Sequence, residues 1–102
     1  VGFFTEHDEA TQGALAAIDG AASPILVGFD GSLDTLQAIK DGGVAGAAMQ
    51  QPVLMGAEAL ATGCSILDGE SVEKTIMVDT ILVTKENVLD IEAEVQDTVF
   101  KE

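Results

Sequence analysis

The sequence predicts an α/β domain built on an open parallel sheet with flanking helices. Short continuous apolar runs alternate along it with stretches of helical spacing, and the run at residues 24–29 (Ile25, Leu26, Val27) carries no polar alternation. Such a run suits a parallel strand covered on both faces, and strand–helix alternation in one sheet implies right-handed crossovers. Size is the third observation: 102 residues, 47% of them apolar, suit one small folded domain.

Taken in order, residues 1–4 form a short apolar run that reads as the first strand. Ala10, Ala14, Ala17 and Ile18 then recur at helical intervals, with Asp8 and Glu9 in the first turn, where carboxylates suit the helix dipole. Gly20 stands where that helix would stop. After the strand at 24–29, Ser32 is a good N-cap, Leu33, Leu36 and Ile39 face inward, and Gly42-Gly43 ends the second helix. Residues 44–49 form a small-residue strand. Pro52 suits the first turn of a third helix, whose expected inward face is Val53, Ala57, Leu60, Ala61, Cys64 and Leu67, and Gly69 closes it. Residues 75–84 are the longest strand candidate. A terminal helix follows over 88–100, with Val88, Ile91, Val95 and Val99 on one side.

Composition narrows the function. The net charge is -14, and the only basic residues are four lysines. So acidic a surface repels phosphate backbones and anionic lipid heads, which argues against nucleic-acid and membrane-surface partners. No apolar run approaches the roughly 20 residues of a bilayer span. A single cysteine forms no intrachain disulfide, and Cys64 on an inward helix face reads as an inert core thiol. One histidine does not support the usual metal-ligand spacings. No nucleophile elbow, Walker A loop or dinucleotide fingerprint occurs, and without arginine there is no bidentate clamp for an anion. The reading is of a protein that is not an enzyme and uses no cofactor or metal. The strand-like opening Val1-Gly2-Phe3-Phe4 reads as the interior of a longer chain.

In open parallel sheets, ligands bind in the crevice beyond the carboxyl ends of the strands. His7, Asp30 and Gln50 each follow a strand closely, so parallel strands would bring all three to one edge. Asp30 accepts from two hydroxyls, the Gln50 amide donates and accepts, and a neutral His7 does one of each, a set suited to a neutral polyhydroxylated ligand. Each has a plainer alternative: a helix cap or surface residue for His7, a turn at Asp30-Gly31, local backbone satisfaction for Gln50.

Phe4-Thr5-Glu6-His7-Asp8-Glu9 followed by Gly13-Ala14-Leu15 resembles a strand, turn and helix of the ribose-binding-protein family, the sugar-binding components of bacterial ABC importers. Val27-Gly28-Phe29-Asp30-Gly31, Ala38-Ile39-Lys40-Asp41-Gly42, Gln50-Gln51-Pro52 with Met55-Gly56, and Leu82-Val83-Thr84-Lys85-Glu86-Asn87 resemble its later motifs in order, up to about Val88. The resemblance implies the C-terminal third of a two-lobed periplasmic-binding-protein fold. Residues 1–50 would belong to the second lobe, 51–78 to the first after a hinge crossing, and 79–102 to the return crossing and tail. The family's hydroxyl-binding aspartate falls on Asp30 and its hinge-side glutamine on Gln50. Its asparagine falls on His7, a departure, because imidazole is bulkier and has one fewer donor.

The implied function is the substrate-binding component of a sugar importer, periplasmic or extracytoplasmic, capturing a neutral monosaccharide or polyol between two lobes. The implied partners are the membrane permease and the remainder of the receptor chain. The alternative is the effector-binding domain of a lactose-repressor-like transcription regulator, which shares the fold. The Ala38–Gly42 and Thr84–Asn87 motifs resemble the transport receptors more.

Overall fold

The computed structural model describes residues 1–18, 20 and 23–98. Its elements are β1 (Gly2–Phe4), α1 (Asp8–Ala17), β2 (Ile25–Asp30), α2 (Leu33–Asp41), β3 (Gly46–Met49), α3 (Pro52–Leu67), β4 (Ile81–Thr84) and α4 (Val88–Thr98). The four strands lie in the order β1-β2-β3-β4. The first three are parallel, with Phe4 opposite Val27 and Asp30 opposite Met49. The expected α/β class and open sheet are therefore present.

Local chemistry sets the helix starts. Ser32 caps α2 by accepting from the Thr35 N–H, and Gly42 ends it in the left-handed conformation. Pro52 stands at the first turn of α3. Asp8 is buried at the start of α1, and its two oxygens accept from the Ser32 N–H and, at 2.7 Å, the Thr35 hydroxyl. A buried carboxylate is tolerated when it is bonded in this way, and here it ties the starts of α1 and α2 together.

The core gathers Leu26, Leu36, Ile39, Val44, Ala47, Met49, Val83, Val88 and Val95. Leu36 and Ile39 are buried as the α2 spacing predicts, and so are Val88 and Val95 of α4. Val99 lies outside the described residues. On α1 the buried positions are Asp8 and Thr11. Ala14, Leu15 and Ile18 pack at the core's edge, whereas Ala17, expected inward, is exposed. The helix follows a polar seam here: Thr11 bonds the Thr5 hydroxyl at 2.7 Å and lies so close to β2 that a Cβ on Gly28 would stand 2.8 Å from its oxygen.

Four expectations are corrected. The first is coverage of the sheet. Strands in simple order with right-handed crossovers put successive helices on one side, and the core accordingly gathers α2 and α4 against Leu26, Ala47, Met49 and Val83. Alternate side chains point to the other face, where Phe4, Ile25 and Leu82 are 65%, 62% and 64% exposed. β2 shows this alternation instead of burial on both sides.

The second is the direction of β4, which runs antiparallel to β3 with Ile81 opposite Met49. The chain leaves the sheet after Met49 and re-enters beside the same point, so the returning strand must run backward. The third is its length: only Ile81–Thr84 of residues 75–84 is strand. The apolar sequence before it has no sheet neighbour to pair its backbone, and β-propensity alone does not hold a strand.

The fourth is α3, none of whose residues is buried; Cys64 is exposed, and Leu60 is 72% exposed. Its apolar face is as the spacing indicates, but the helix projects from the sheet. The molecule is correspondingly long, 60 × 27 × 21 Å with a radius of gyration of 16.8 Å, against roughly 13 Å for a compact chain of about 100 residues.

The turn from β4 to α4 is closed by Asn87, whose amide oxygen accepts from the Thr84 N–H at 2.8 Å and whose amide nitrogen donates to the Leu82 carbonyl at 2.9 Å. The Thr84 hydroxyl, then Glu86's own backbone N–H, hold the Glu86 carboxyl below the usual carboxylate range. That contribution is in place at neutral pH and is lost as pH falls through the lowered value.

Candidate functional site

Two cavities of about 560 and 550 Å³ stand out. The first lies along α3 and the segment after it, lined by Met55, Ile66, Ile76 and Met77 among others. The second opens at the carboxyl ends of the parallel strands and holds Asp30, Gly31, Met49 and Gln50, with Asp8 and Ser32 from the helix starts. It is the crevice in which open α/β sheets bind ligands.

Asp30 is the last residue of β2 and Gln50 directly follows β3. Because Asp30 stands opposite Met49 in the register, the next residue on β3 comes alongside. The Gln50 N–H donates to the Asp30 carbonyl at 3.1 Å, and its side-chain nitrogen donates to an Asp30 carboxylate oxygen at 2.5 Å. That bond engages one carboxylate oxygen and one amide hydrogen. The pair keeps further acceptor and donor capacity for a ligand's hydroxyls.

Asp30 also has φ of 85°, and it is the only non-glycine residue with positive φ among the described residues. Side chains rarely adopt that conformation, and it costs on the order of 1–3 kcal/mol. Gly31 follows with φ of 87°, and a Cβ there would lie 2.4 Å from Met49 Cγ. The β2–α2 turn is thus folded tightly against the end of β3, with the carboxylate held against the Gln50 amide in the cavity's lining. Such strain concentrates where function requires a fixed orientation.

His7 stands after the carboxyl end of β1 but is not among the residues lining this cavity. Its Nδ1 accepts from the Ala10 N–H at 3.2 Å and so caps α1. The same nitrogen lies 3.2 Å from Glu9 Oε2. One ring nitrogen does not accept from the helix and donate to a carboxylate at once, so the cap requires the proton on Nε2. Half of the side chain is exposed. Asp30 and Gln50 are therefore brought into contact, while His7 is engaged with its own helix.

Residues that the sequence pattern did not propose as ligand contacts also line the cavity. Asp8 is one. Others are Gln51 and Glu94, with the apolar Val53, Leu54 and Ala57 of α3 and Ile81, Ile91 and Val95. The α4 periodicity marked Ile91 and Val95 as a buried face, but nothing in it shows which neighbours they meet. Among the described lining residues there are carboxylates and no cation, an arrangement that disfavours anionic ligands.

A family model for the periplasmic binding protein domain matches residues 1–71. The chain belongs to the periplasmic binding protein family. The ribose import binding protein of Haemophilus influenzae is 41% identical over 83 residues, which are 80% of this chain and 28% of that one. Among solved periplasmic binding proteins, an ABC transporter solute binding protein from Agrobacterium vitis with bound D-fucose superposes with a TM-score of 0.79 at 32% identity, covering 91% of this chain and 33% of that one. A carbohydrate transporter solute binding protein from Agrobacterium radiobacter in complex with D-arabinose gives 0.79 at 34% identity, covering 93% and 33%. The chain thus spans about a third or less of the length of these relatives. The periplasmic binding protein fold supplies the sheet edge on which Asp30 and Gln50 meet.

Proposed function

We propose that the chain forms the C-terminal third of a two-lobed, extracytoplasmic receptor that captures a neutral monosaccharide or polyol for an ABC importer. The observation that carries this is the Asp30–Gln50 pair, in contact at the carboxyl edge of the parallel strands, with Asp30 held at positive φ beside a cavity of about 550 Å³. A carboxylate and an amide there suit hydroxyls, and the surrounding negative charge disfavours anions. The ribose import binding protein, 41% identical over 80% of the chain, supports the receptor over the repressor-like alternative. The protein it hands its cargo to would be a membrane permease.

The places where the chain leaves and returns to the sheet support a lobe assignment. Residues 1–50 would form part of the second lobe, 51–78 part of the first, and 79–102 the return and tail. Exit and re-entry lie side by side at Met49 and Ile81, and the Gln51 side chain bonds the Asp79 carbonyl at 2.7 Å across the two crossings. Between them, α3 buries none of its residues. That helix and the bare sheet face of Phe4, Ile25 and Leu82 are apolar surfaces of the kind the remainder of a receptor would cover. The 102-residue chain by itself is expected to self-associate, seen as a sedimentation coefficient that rises with concentration. A constant monomer value would count against this account of the uncovered faces.

A thermal-shift screen of the full-length receptor against monosaccharides and sugar alcohols tests the function. Stabilisation by at least one is expected, and stabilisation only by amino acids or nucleosides would refute the reading. His7→Asn in that receptor is expected to leave its melting temperature unchanged, because asparagine caps helices well. It should alter the order of preference among pentoses and hexoses, and an identical calorimetric profile would remove His7 from the site.

A further inference from the structure

The strained turn at Asp30 and Gly31 is held from both sides. Before it, the Asp30 carbonyl accepts from the Gln50 N–H at 3.1 Å. After it, the Ser32 N–H donates to the Asp8 carboxylate, which reaches across from the start of α1, 24 residues earlier in the chain. We infer, resting on the receptor reading above, that Asp8 is a positioning residue of the sugar site. It acts on the ligand only through Asp30, by fixing the turn on which the Asp30 carboxylate is presented.

Successive residues at φ of 85° and 87° persist only where the surroundings over-determine them. Glycine supplies the freedom at position 31, but Asp30 carries a side chain, so anchors outside the turn have to hold it. Asp8 is built as such an anchor. It is only 8% exposed, and a carboxylate accepting from a backbone N–H makes a stronger bond than a neutral acceptor does. Its other oxygen accepts from the Thr35 hydroxyl at 2.7 Å, and that hydroxyl accepts in turn from the Gln12 amide at 3.3 Å. Side chains of α1 and α2 thus fix the direction of the carboxylate. Asp8 is among the residues lining the cavity, yet each of its oxygens already has a donor from the protein. A carboxylate in a first turn also suits the helix dipole, but that role needs neither burial nor a bond to another element.

The test is calorimetry and NMR on the full-length receptor, with D-ribose, D-arabinose and D-fucose as probes. Asp8→Ala is expected to weaken binding about tenfold although Asp30 is intact, a loss of the order seen when a group that orients a metal ligand is removed. In the unliganded receptor the Gln50 side-chain amide signals should shift toward those of a free glutamine, because the carboxylate they bond has moved. Asp8→Asn should restore both properties, its oxygen accepting from the Ser32 N–H and its nitrogen donating to the Thr35 hydroxyl. Thr35→Val separates positioning from stability. It removes one partner of Asp8 and leaves the Ser32 tether, so the melting temperature should fall while affinity and the Gln50 signals stay at the parent's values. If Asp8→Ala does not fold, Asp8→Ser, too short to hold both partners, makes the same comparison. Parent-like affinity and Gln50 signals in either folded variant overturn the inference. So does an Asp8→Asn affinity as low as that of Asp8→Ala, which would make Asp8 a direct ligand contact. If none of the three sugars binds the parent, the receptor reading falls, and the Gln50 signals still decide whether Asp8 holds the turn.

Discussion

Replacing Asp30 with alanine in the full-length receptor is expected to weaken sugar binding at least about tenfold. A buried hydrogen bond between a carboxylate and a hydroxyl contributes roughly 1.5–3 kcal/mol, and about 1.4 kcal/mol is a factor of ten in affinity. The Gln50 amide would also lose the acceptor that orients it, so the loss extends beyond one contact. Because φ at this position is 85°, alanine keeps the backbone strain while removing what the strain orients. Asp30→Asn separates the effects, since asparagine tolerates positive φ and keeps the shape without the charge. Its melting temperature should match the parent's while its affinity falls. Calorimetry showing unchanged affinity in both variants would remove Asp30 from the site.

Gly31→Ala is expected to be the most destabilising small substitution at the site. The methyl group would meet the Met49 side chain at 2.4 Å and 2.8 Å, on a backbone with φ of 87°. Each penalty, backbone strain and overpacking, is about 1–3 kcal/mol. Met49 is a core residue only 6% exposed, with little room to yield. Thermal denaturation of the full-length receptor should show a clear fall in melting temperature. A secondary effect on sugar affinity is expected, because relief of the clash moves the β2–α2 turn that carries Asp30. A melting temperature equal to the parent's would mean that the turn and β3 are not packed as described.

Much of the fold was legible because its signals are local. The Ser32 cap, the Gly42 stop, Pro52 at a first turn and the spacing of Leu36, Ile39, Val88 and Val95 act through neighbours one to four residues away. Asp30 and Gln50 were legible for a related reason, since the carboxyl ends of parallel strands are places that topology brings together. His7 follows β1 at the same edge, and its ring also caps α1 by accepting from the Ala10 N–H, a choice of rotamer and local geometry that position in the chain does not record.

The sequence by itself determined the order of strands and helices, the places where helices start and stop, and which side of each helix is apolar. These depend on backbone preference and periodicity, which operate over one or two turns. Only the tertiary structure decided what each apolar side meets. It left the flank of α3 and one sheet face bare, reversed β4 by returning the chain to the point it had left, and set the Gln50 amide against the Asp30 carboxylate. Those outcomes depend on partners many residues apart, and a hydrophobic stripe records that a surface is to be buried without recording against what.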